Sequence, residues 1–186
     1  MHIFYEEDEL PRRQDRVSVI KLAVQKANEL LTNPAFFIKI SDHKQFDYTH
    51  WPSADIANEM TKSTLEFKVT IFHKRWLDGY GKTLAYTDAA YPNTLFLNNH
   101  RLNREVEEVA ASIIHESVHA LDDSLRKASG KLADDPWFGH GDDSSVGKEN
   151  SAPYWIDQLA YEMLKNDPRL PFLAFEQPKI NDNNVA

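Results

Sequence analysis

Apolar residues recur with a helical period in the first third and in the second half of the chain, and with a strand period between them. Residues 11–32 place apolar side chains three or four positions apart, as an amphipathic helix does. Asn33 precedes a proline and therefore ends that helix, because a residue before proline is pushed out of the helical region. Residues 53–62 predict a short second helix with Ser53 as its cap.

The middle of the chain predicts three strands. The segment "TLEFKVTIF", residues 64–72, alternates apolar and polar side chains with the two-residue period of a half-buried strand. "GYGKTLAYTD", residues 79–88, adds a glycine-rich turn and a strand, and "YPNTLFLNN", residues 91–99, adds another. Because the three are close in sequence, we expect a small, mostly antiparallel sheet and an α+β fold.

The longest helical pattern follows, from Asn103 as the cap to about Ser129, and Gly130 ends it. A long stretch rich in Gly, Asp and Ser separates it from a last helix over residues 152–165. We expect one domain over residues 1–186. Its N-terminal helix and sheet lobe covers about 1–102, and its motif helix, loop and ligand helix cover 103–186.

Composition narrows the functions that the chain can have. It has 186 residues, of which 41% are hydrophobic and 27% charged, as in an ordinary globular protein. It contains no cysteine, so thiolate ligands and cysteine nucleophiles are excluded. The formal net charge of −8 argues against non-specific nucleic-acid binding, and no apolar run is long enough to predict a membrane span. The acidic start, "MHIFYEEDEL", predicts no export signal.

Two histidines four apart, with a glutamate directly after the first, lie within the long helix. Residues four apart on a helix lie about 40° apart around the axis and one turn apart along it, so His115 and His119 can face one ion. Glu116 lies about 100° round from His115, where a carboxylate can take a proton from an attacking water. The pattern H-E-x-x-H therefore predicts a zinc site with its own general base.

The apolar side of this helix lies opposite the two histidines. It comprises Val106, Val109, Ala110, Ile113, Ile114, Ser117 and Leu121. The helix is thus expected to bury one face in a core and to present the histidines to another part of the molecule. The polar stripe of a solvated helix would have the same orientation, and it is the alternative to a metal site.

A catalytic zinc site needs a third protein ligand and an open position. The extended metzincin pattern fails, because Asp122 stands where it requires glycine and Leu125 where it requires histidine. Glu162, in the helix after the long loop, is the first choice for the third ligand, and His140 in the loop is the rival.

Other polar side chains are candidates for supporting roles. His140 or Tyr154 could donate a hydrogen bond to the oxyanion that forms during attack on a carbonyl. Asp122 or Asp123 could hold the free ring nitrogen of a liganding histidine. Asp157 is a weaker rival ligand and is better suited to supporting one.

The arrangement resembles that of the zincin metallopeptidases: a small sheet, the "HESVH" helix, a connecting segment and a second helix that carries the last ligand. In zincins the strand before the motif helix lines the cleft and pairs with an extended substrate. The resemblance implies this role for "NTLFLNN", residues 93–99, by strand addition at a sheet edge.

More narrowly, "HESVHALDD" followed by "GHGDDSSVGKENSAPYWIDQLAYE" is similar to the C-terminal metallopeptidase domain of certain type VI secretion spike proteins, the valine-glycine-repeat proteins, and to related bacterial toxins. The resemblance covers about residues 90–165. It implies zinc ligation by His115, His119 and Glu162, with Glu116 as the base.

The expected function is therefore zinc-dependent hydrolysis of peptide bonds by an antibacterial effector. The resemblance implies delivery by a secretion machine into the periplasm of a target bacterium, with a polypeptide substrate and an immunity protein or the secretion spike as partner. Two alternatives stay open: a zinc-stabilised binding module without catalysis, and a metal-dependent amidase that acts on peptidoglycan.

Overall fold

The computed structural model describes residues 1–6, 14–72, 83–88, 90–130, 137–140 and 147–166. These residues form five helices and a four-stranded mixed sheet, so the predicted α+β class is confirmed. The elements are β1 (His2–Tyr5), α1 (Gln14–Leu31), α2 (Pro34–Ser41), α3 (Ser53–Lys62), β2 (Glu66–Phe72), β3 (Ala85–Thr87), β4 (Thr94–Asn98), a 3-10 turn (Asn99–Arg101), α4 (Val106–Ala128) and α5 (Ala152–Asn166).

The sheet has the strand order β1-β2-β4-β3. β1 pairs with β2 in parallel, and β2 pairs with β4 in parallel, so that Val69 lies opposite Leu95. β3 runs antiparallel to β4, with Tyr86 opposite Phe96. The prediction of a mostly antiparallel sheet is therefore wrong. β3 and β4 form an antiparallel hairpin, but β4 lies between β3 and β2. The neighbour of β2 is therefore β4, which runs in the same direction as β2.

The position of β4 also corrects its expected role. The zincin resemblance implied that this strand offers a free edge to an extended substrate. In the structure its backbone is hydrogen-bonded on both sides, to β2 and to β3, so it has no edge to offer. Leu95 and Leu97 point from it into the core and are fully buried.

One strand and one α-helix were not predicted from the sequence. β1 is only four residues long, and its place in the sheet depends on pairing with β2, more than sixty residues away. α2 begins directly where the first helix was predicted to end. The Asn33 side chain accepts a hydrogen bond from the Ala35 N–H at 3.0 Å and so caps α2. Pro34 takes the first helical position, where an N–H group would have no partner within the helix.

α4 runs through the centre of the molecule. It packs against α1 and α5 and crosses β3 and β4, and every residue from 109 to 118 is buried. The predicted apolar face is there, with Ile113 and Ile114 fully buried, but α5 covers the side that carries the histidines. The helix begins at Val106 with Glu105 at its N-cap position, two residues after Asn103, the cap that the sequence predicts.

Several segments discussed above lie wholly or partly outside the described residues: the acidic run at 7–9, the glycine-rich turn at 79–82, most of the long loop and the chain after 166. Within the described part of the chain, no helix combines the length and the apolar character needed to cross a bilayer.

Candidate metal centre

His115 and His119 lie one turn apart on α4, with their ring centroids 5.0 Å apart. This is the geometry that the four-residue spacing predicts. His115 is buried, with 9% of its surface exposed, and His119 is partly buried. The pair thus lies in an interior position instead of forming a solvated stripe on the helix surface.

His140 joins the pair from the segment 137–140. Its Nε2 atom lies 3.0 Å from Nε2 of His119, and its ring centroid is 5.9 Å from that of His115. One potential ligand atom from each of the three histidines lies within 4.8 Å of the others, close enough to bind one metal ion. The structure therefore brings His140 to the position that the sequence assigned first to Glu162.

Glu162 lies elsewhere. Its side chain is exposed on α5, and its Oε1 accepts a hydrogen bond from the Gln158 amide at 2.9 Å. The reason is the register of α5, which buries Ile156, Ala160 and Leu164 at four-residue intervals. A residue two positions after Ala160 lies about 200° round the helix and points to solvent.

α5 nevertheless contributes to the site through Asp157. Its Oδ2 atom lies 3.5 Å from Nδ1 of His115, a close ion-pair contact that is too long for a good hydrogen bond. Since Nδ1 faces Asp157, Nε2 is the ring nitrogen of His115 left for a metal. A carboxylate behind a liganding imidazole is the usual way in which proteins hold such a ring.

The two helix-borne histidines have opposite pKa shifts. Burial lowers the pKa of His115, but the carboxylates of Asp157 and Glu116 outweigh it, so the net shift is upward. The pKa of His119 is well below its usual value because of burial first, and then because of the positive charge that His115 and His140 can carry. A neutral His119 has a lone pair available for a cation near pH 7.

Glu116 is buried beside His115, with 7% of its surface exposed. Burial raises the pKa of its carboxyl group to about 7, against the opposing influence of His115, and the charge on Asp157 adds to the rise. A carboxyl group that titrates near neutrality can both accept and return a proton, which is what general acid–base catalysis needs.

Tyr154 lies against the histidine cluster. Its ring stacks on His140 at a centroid distance of 5.0 Å and meets the edge of His115 at 4.6 Å. Tyr154 and Asp157 are three residues apart on α5, so they share the face that meets α4. The candidate oxyanion donor named from the sequence is thus next to the cluster.

Asp122 has a different role from the predicted one. It does not hold an imidazole; its Oδ1 atom accepts the backbone N–H groups of Trp137 and Phe138, at 3.0 and 3.2 Å. Burial raises the pKa of Asp122 to about 6, against the opposing influence of Arg126 and of those two N–H groups. Asp123 forms an ion pair with Arg126 and likewise holds no imidazole.

Sequence reasoning also missed the contacts that hold the loop from the other side. The Thr49 hydroxyl donates to the Trp137 carbonyl, and the Trp51 ring stacks on that of Trp137 at 5.1 Å. The Lys148 ammonium donates to the His140 carbonyl at 3.2 Å. Thr49 and Trp51 are more than eighty residues from the loop in sequence, so no local pattern could have indicated them.

The donor set fits a metal ion. Three imidazole nitrogens suit zinc, copper, iron and nickel, and three histidines with an open position form one of the common catalytic zinc sites. Glu116, which directly follows His115 on α4 and interacts with it, is not one of these three ligands. Comparison of the chain with known protein families, with curated proteins and with solved structures finds no match.

Proposed function

We propose that this protein is a zinc-dependent peptidase in which His115, His119 and His140 hold the metal and Glu116 is the general base. One observation carries the proposal: a buried glutamate whose pKa is raised to about 7 interacts with His115, which is one of three convergent histidines. A purely structural metal site has no use for such a base, and it usually closes its fourth position with another protein ligand.

Each residue of the site has a separate role in the proposed reaction. The three imidazoles would hold the cation, and the Asp157 carboxylate lies behind the ring of His115. Zinc bound there would polarise the scissile carbonyl and lower the pKa of water. Glu116 accepts a proton from the attacking water and then donates it to the leaving amine. The ring of Tyr154 lies close enough for its hydroxyl group to be a candidate donor to the oxyanion.

The choice of a peptide substrate rests on the resemblance to the metallopeptidase domains of type VI secretion spikes. That resemblance implied a glutamate as third ligand, and the proposed site has His140 instead, so it supports the reaction class and not the ligand set. On the same basis we propose an antibacterial effector that acts in the periplasm of a recipient cell, with an immunity protein or the spike as partner.

The central experiment compares wild type with Glu116→Gln and with Glu149→Gln, an exposed glutamate, as the matched control. Each zinc-loaded protein is incubated with a denatured protein library and, separately, with purified peptidoglycan, and the products are identified by mass spectrometry. Glu116→Gln should keep its zinc but lose about 10²–10⁴-fold in rate, because only the proton transfer is removed.

The outcomes separate the alternatives. Cleavage of the library by wild type and Glu149→Gln, but not by Glu116→Gln, supports the peptidase. Release of amine from peptidoglycan alone indicates the amidase. Zinc binding without either reaction indicates the binding module, and full activity of Glu116→Gln rules out the base assigned here.

Localisation has a separate test. Wild type fused to an export signal should stop the growth of a host bacterium, whereas the same chain without the signal should not. Exported Glu116→Gln should be harmless. Equal toxicity of the wild type in both compartments would contradict a periplasmic target.

A further inference from the structure

His140 comes from a stretch of chain without regular secondary structure, residues 137–140. A histidine in such a stretch takes its position from the contacts of its neighbours, since no helix or strand fixes it. Two residues before it, Phe138 is fully buried, and the backbone of Trp137 is held at both its N–H and its C=O group. These contacts decide where the third imidazole lies.

Asp122 provides one of these contacts. Only 1% of its surface is exposed, and one carboxylate oxygen accepts two consecutive backbone N–H groups, from Trp137 and Phe138. Asp122 follows His119 by three residues on α4, so its side chain lies one turn further along the same side of the helix. The helix that carries two of the histidines thus also holds the chain that carries the third.

We propose that Asp122 is a positioning residue that sets the metal affinity of the site through His140. The inference rests on the proposed metal site but is independent of peptide hydrolysis. Without the carboxylate, two buried N–H groups would lose their acceptor and the segment would no longer be tied to α4. His140 would then have to be ordered when the metal binds, and this would weaken binding.

A competing explanation is that Asp122 stabilises the fold only through its ion pair with Arg126. Its Oδ2 atom lies 3.2 Å from Nε of Arg126. Asp123 provides a matched control, because it also pairs with Arg126 but, within the part of the chain that the structure describes, accepts no hydrogen bond from residues 137–140. Asp123→Ala therefore removes a charge and an Arg126 contact without releasing the His140 segment.

The test is a double-mutant cycle on zinc affinity, measured by competition with a chromophoric chelator. The proteins are wild type, Asp122→Ala, His140→Ala and the double variant, with Asp123→Ala as control. Asp122→Ala should bind zinc about 10- to 100-fold more weakly than wild type, as losses behind a metal ligand usually do. In the His140→Ala background the same change should cost about twofold or less, because the residue it acts through is gone.

Equal losses in both backgrounds, or an equal loss in Asp123→Ala, would overturn the inference. If wild type binds zinc and needs His140 while Asp122→Ala binds normally, this inference fails and the proposed metal site stands. If wild type binds no zinc, the proposed site itself fails.

A second variant keeps the test decisive if Asp122→Ala does not fold. Thr49→Val has nearly the same shape as wild type but lacks the hydroxyl that donates to the Trp137 carbonyl, on the other side of the same segment. It should weaken zinc binding in the wild-type background and not in the His140→Ala background. Weakening to the same extent in both would contradict the idea that the held segment sets the affinity.

Discussion

The candidate site has two halves that are built in different ways. His115 and His119 are parts of one helix, and their separation follows from the backbone geometry of that helix. His140 comes from a segment without regular structure, and its position depends on Asp122, on Thr49 and on the packing of Phe138. The first half needs only local structure, whereas the second needs contacts between residues far apart in sequence.

This difference shows where such a site can be altered. The helix-borne pair is preorganised as long as α4 is folded, and α4 lies at the centre of the core. The loop-borne ligand can be displaced without unfolding the helix. We therefore expect changes to the pair to lower metal affinity the most, and changes around His140 to lower it less.

The largest effect should come from His119→Ala. Structural zinc sites bind with about 10–16 kcal/mol shared among four ligands, so one ligand contributes about 3–4 kcal/mol, or several hundred-fold in affinity. Zinc affinity measured by chelator competition should fall by this amount. His100→Ala, which removes an exposed histidine, should leave it unchanged. Equal losses in the two variants would mean that zinc binds at the surface.

The next effect concerns the loss of folding stability that comes from burying the Glu116 carboxylate. The pKa of Glu116 rises from 4.5 to about 7 in the folded protein, so the metal-free protein loses stability as pH increases between these values. Above pH 7 the loss reaches about 3 kcal/mol. Glu116→Gln should therefore unfold at higher urea concentration than wild type at about pH 8, with little difference at about pH 4.5. Zinc should shrink the gap, since a cation favours the carboxylate.

Identical urea midpoints for metal-free wild type and Glu116→Gln at about pH 8 would show that the carboxylate is well solvated. In that case burial of Glu116 would not destabilise the fold. The two halves of the site would then differ only in their contribution to metal affinity.

A smaller effect should distinguish the two candidates for the third ligand. His140→Ala should lower zinc affinity about 10- to 100-fold, less than His119→Ala, because part of the binding energy of a loop ligand goes into ordering the loop. Glu162→Ala should bind zinc as wild type does, since Glu162 is exposed and bonded to Gln158. Loss of zinc from Glu162→Ala and retention by His140→Ala would restore the assignment that the resemblance implied.

The smallest effect is the pH dependence of zinc binding. The pKa of His115 is raised and that of His119 is lowered, so a proton competes with zinc mainly at His115 within the helix-borne pair. Affinity should fall about tenfold for each pH unit below the raised pKa of His115. Calorimetry of wild type and of Asp157→Asn at several pH values measures the zinc affinity. Asp157→Asn should show a weaker pH dependence, because it lacks the carboxylate that most raises the pKa of His115. An unchanged pH dependence would contradict this prediction.

Regular elements with a strong period were predictable from the sequence. α1, α3, α4, α5, β2 and β4 lie where the apolar spacing predicts them, within a few residues. The short β1 and the strand order were not predictable, because parallel strand pairs join chain segments that are far apart in sequence. The zincin resemblance implied that β4 lies at a sheet edge, whereas β3 and β2 flank it.

Within the site, Asp157 and Tyr154 lie beside the histidines, as their three-residue spacing on α5 allows. The same helix was expected to supply Glu162. Its rotation is set by the burial of Ile156, Ala160 and Leu164, and that rotation turns Glu162 to solvent. Core packing, which a motif does not contain, therefore decides that Glu162 points away from the histidines.

The chain's own residues determine the H-E-x-x-H helix, because an α-helix brings side chains four apart onto one side whatever surrounds it. The sequence likewise predicted an α+β fold and a histidine in the following loop as one of two possible partners. Only the tertiary structure brought His140 to the two helix histidines and turned Asp122 towards the backbone of Trp137 and Phe138. These contacts join residues distant in sequence, and their geometry depends on how the helices pack and not on any local period.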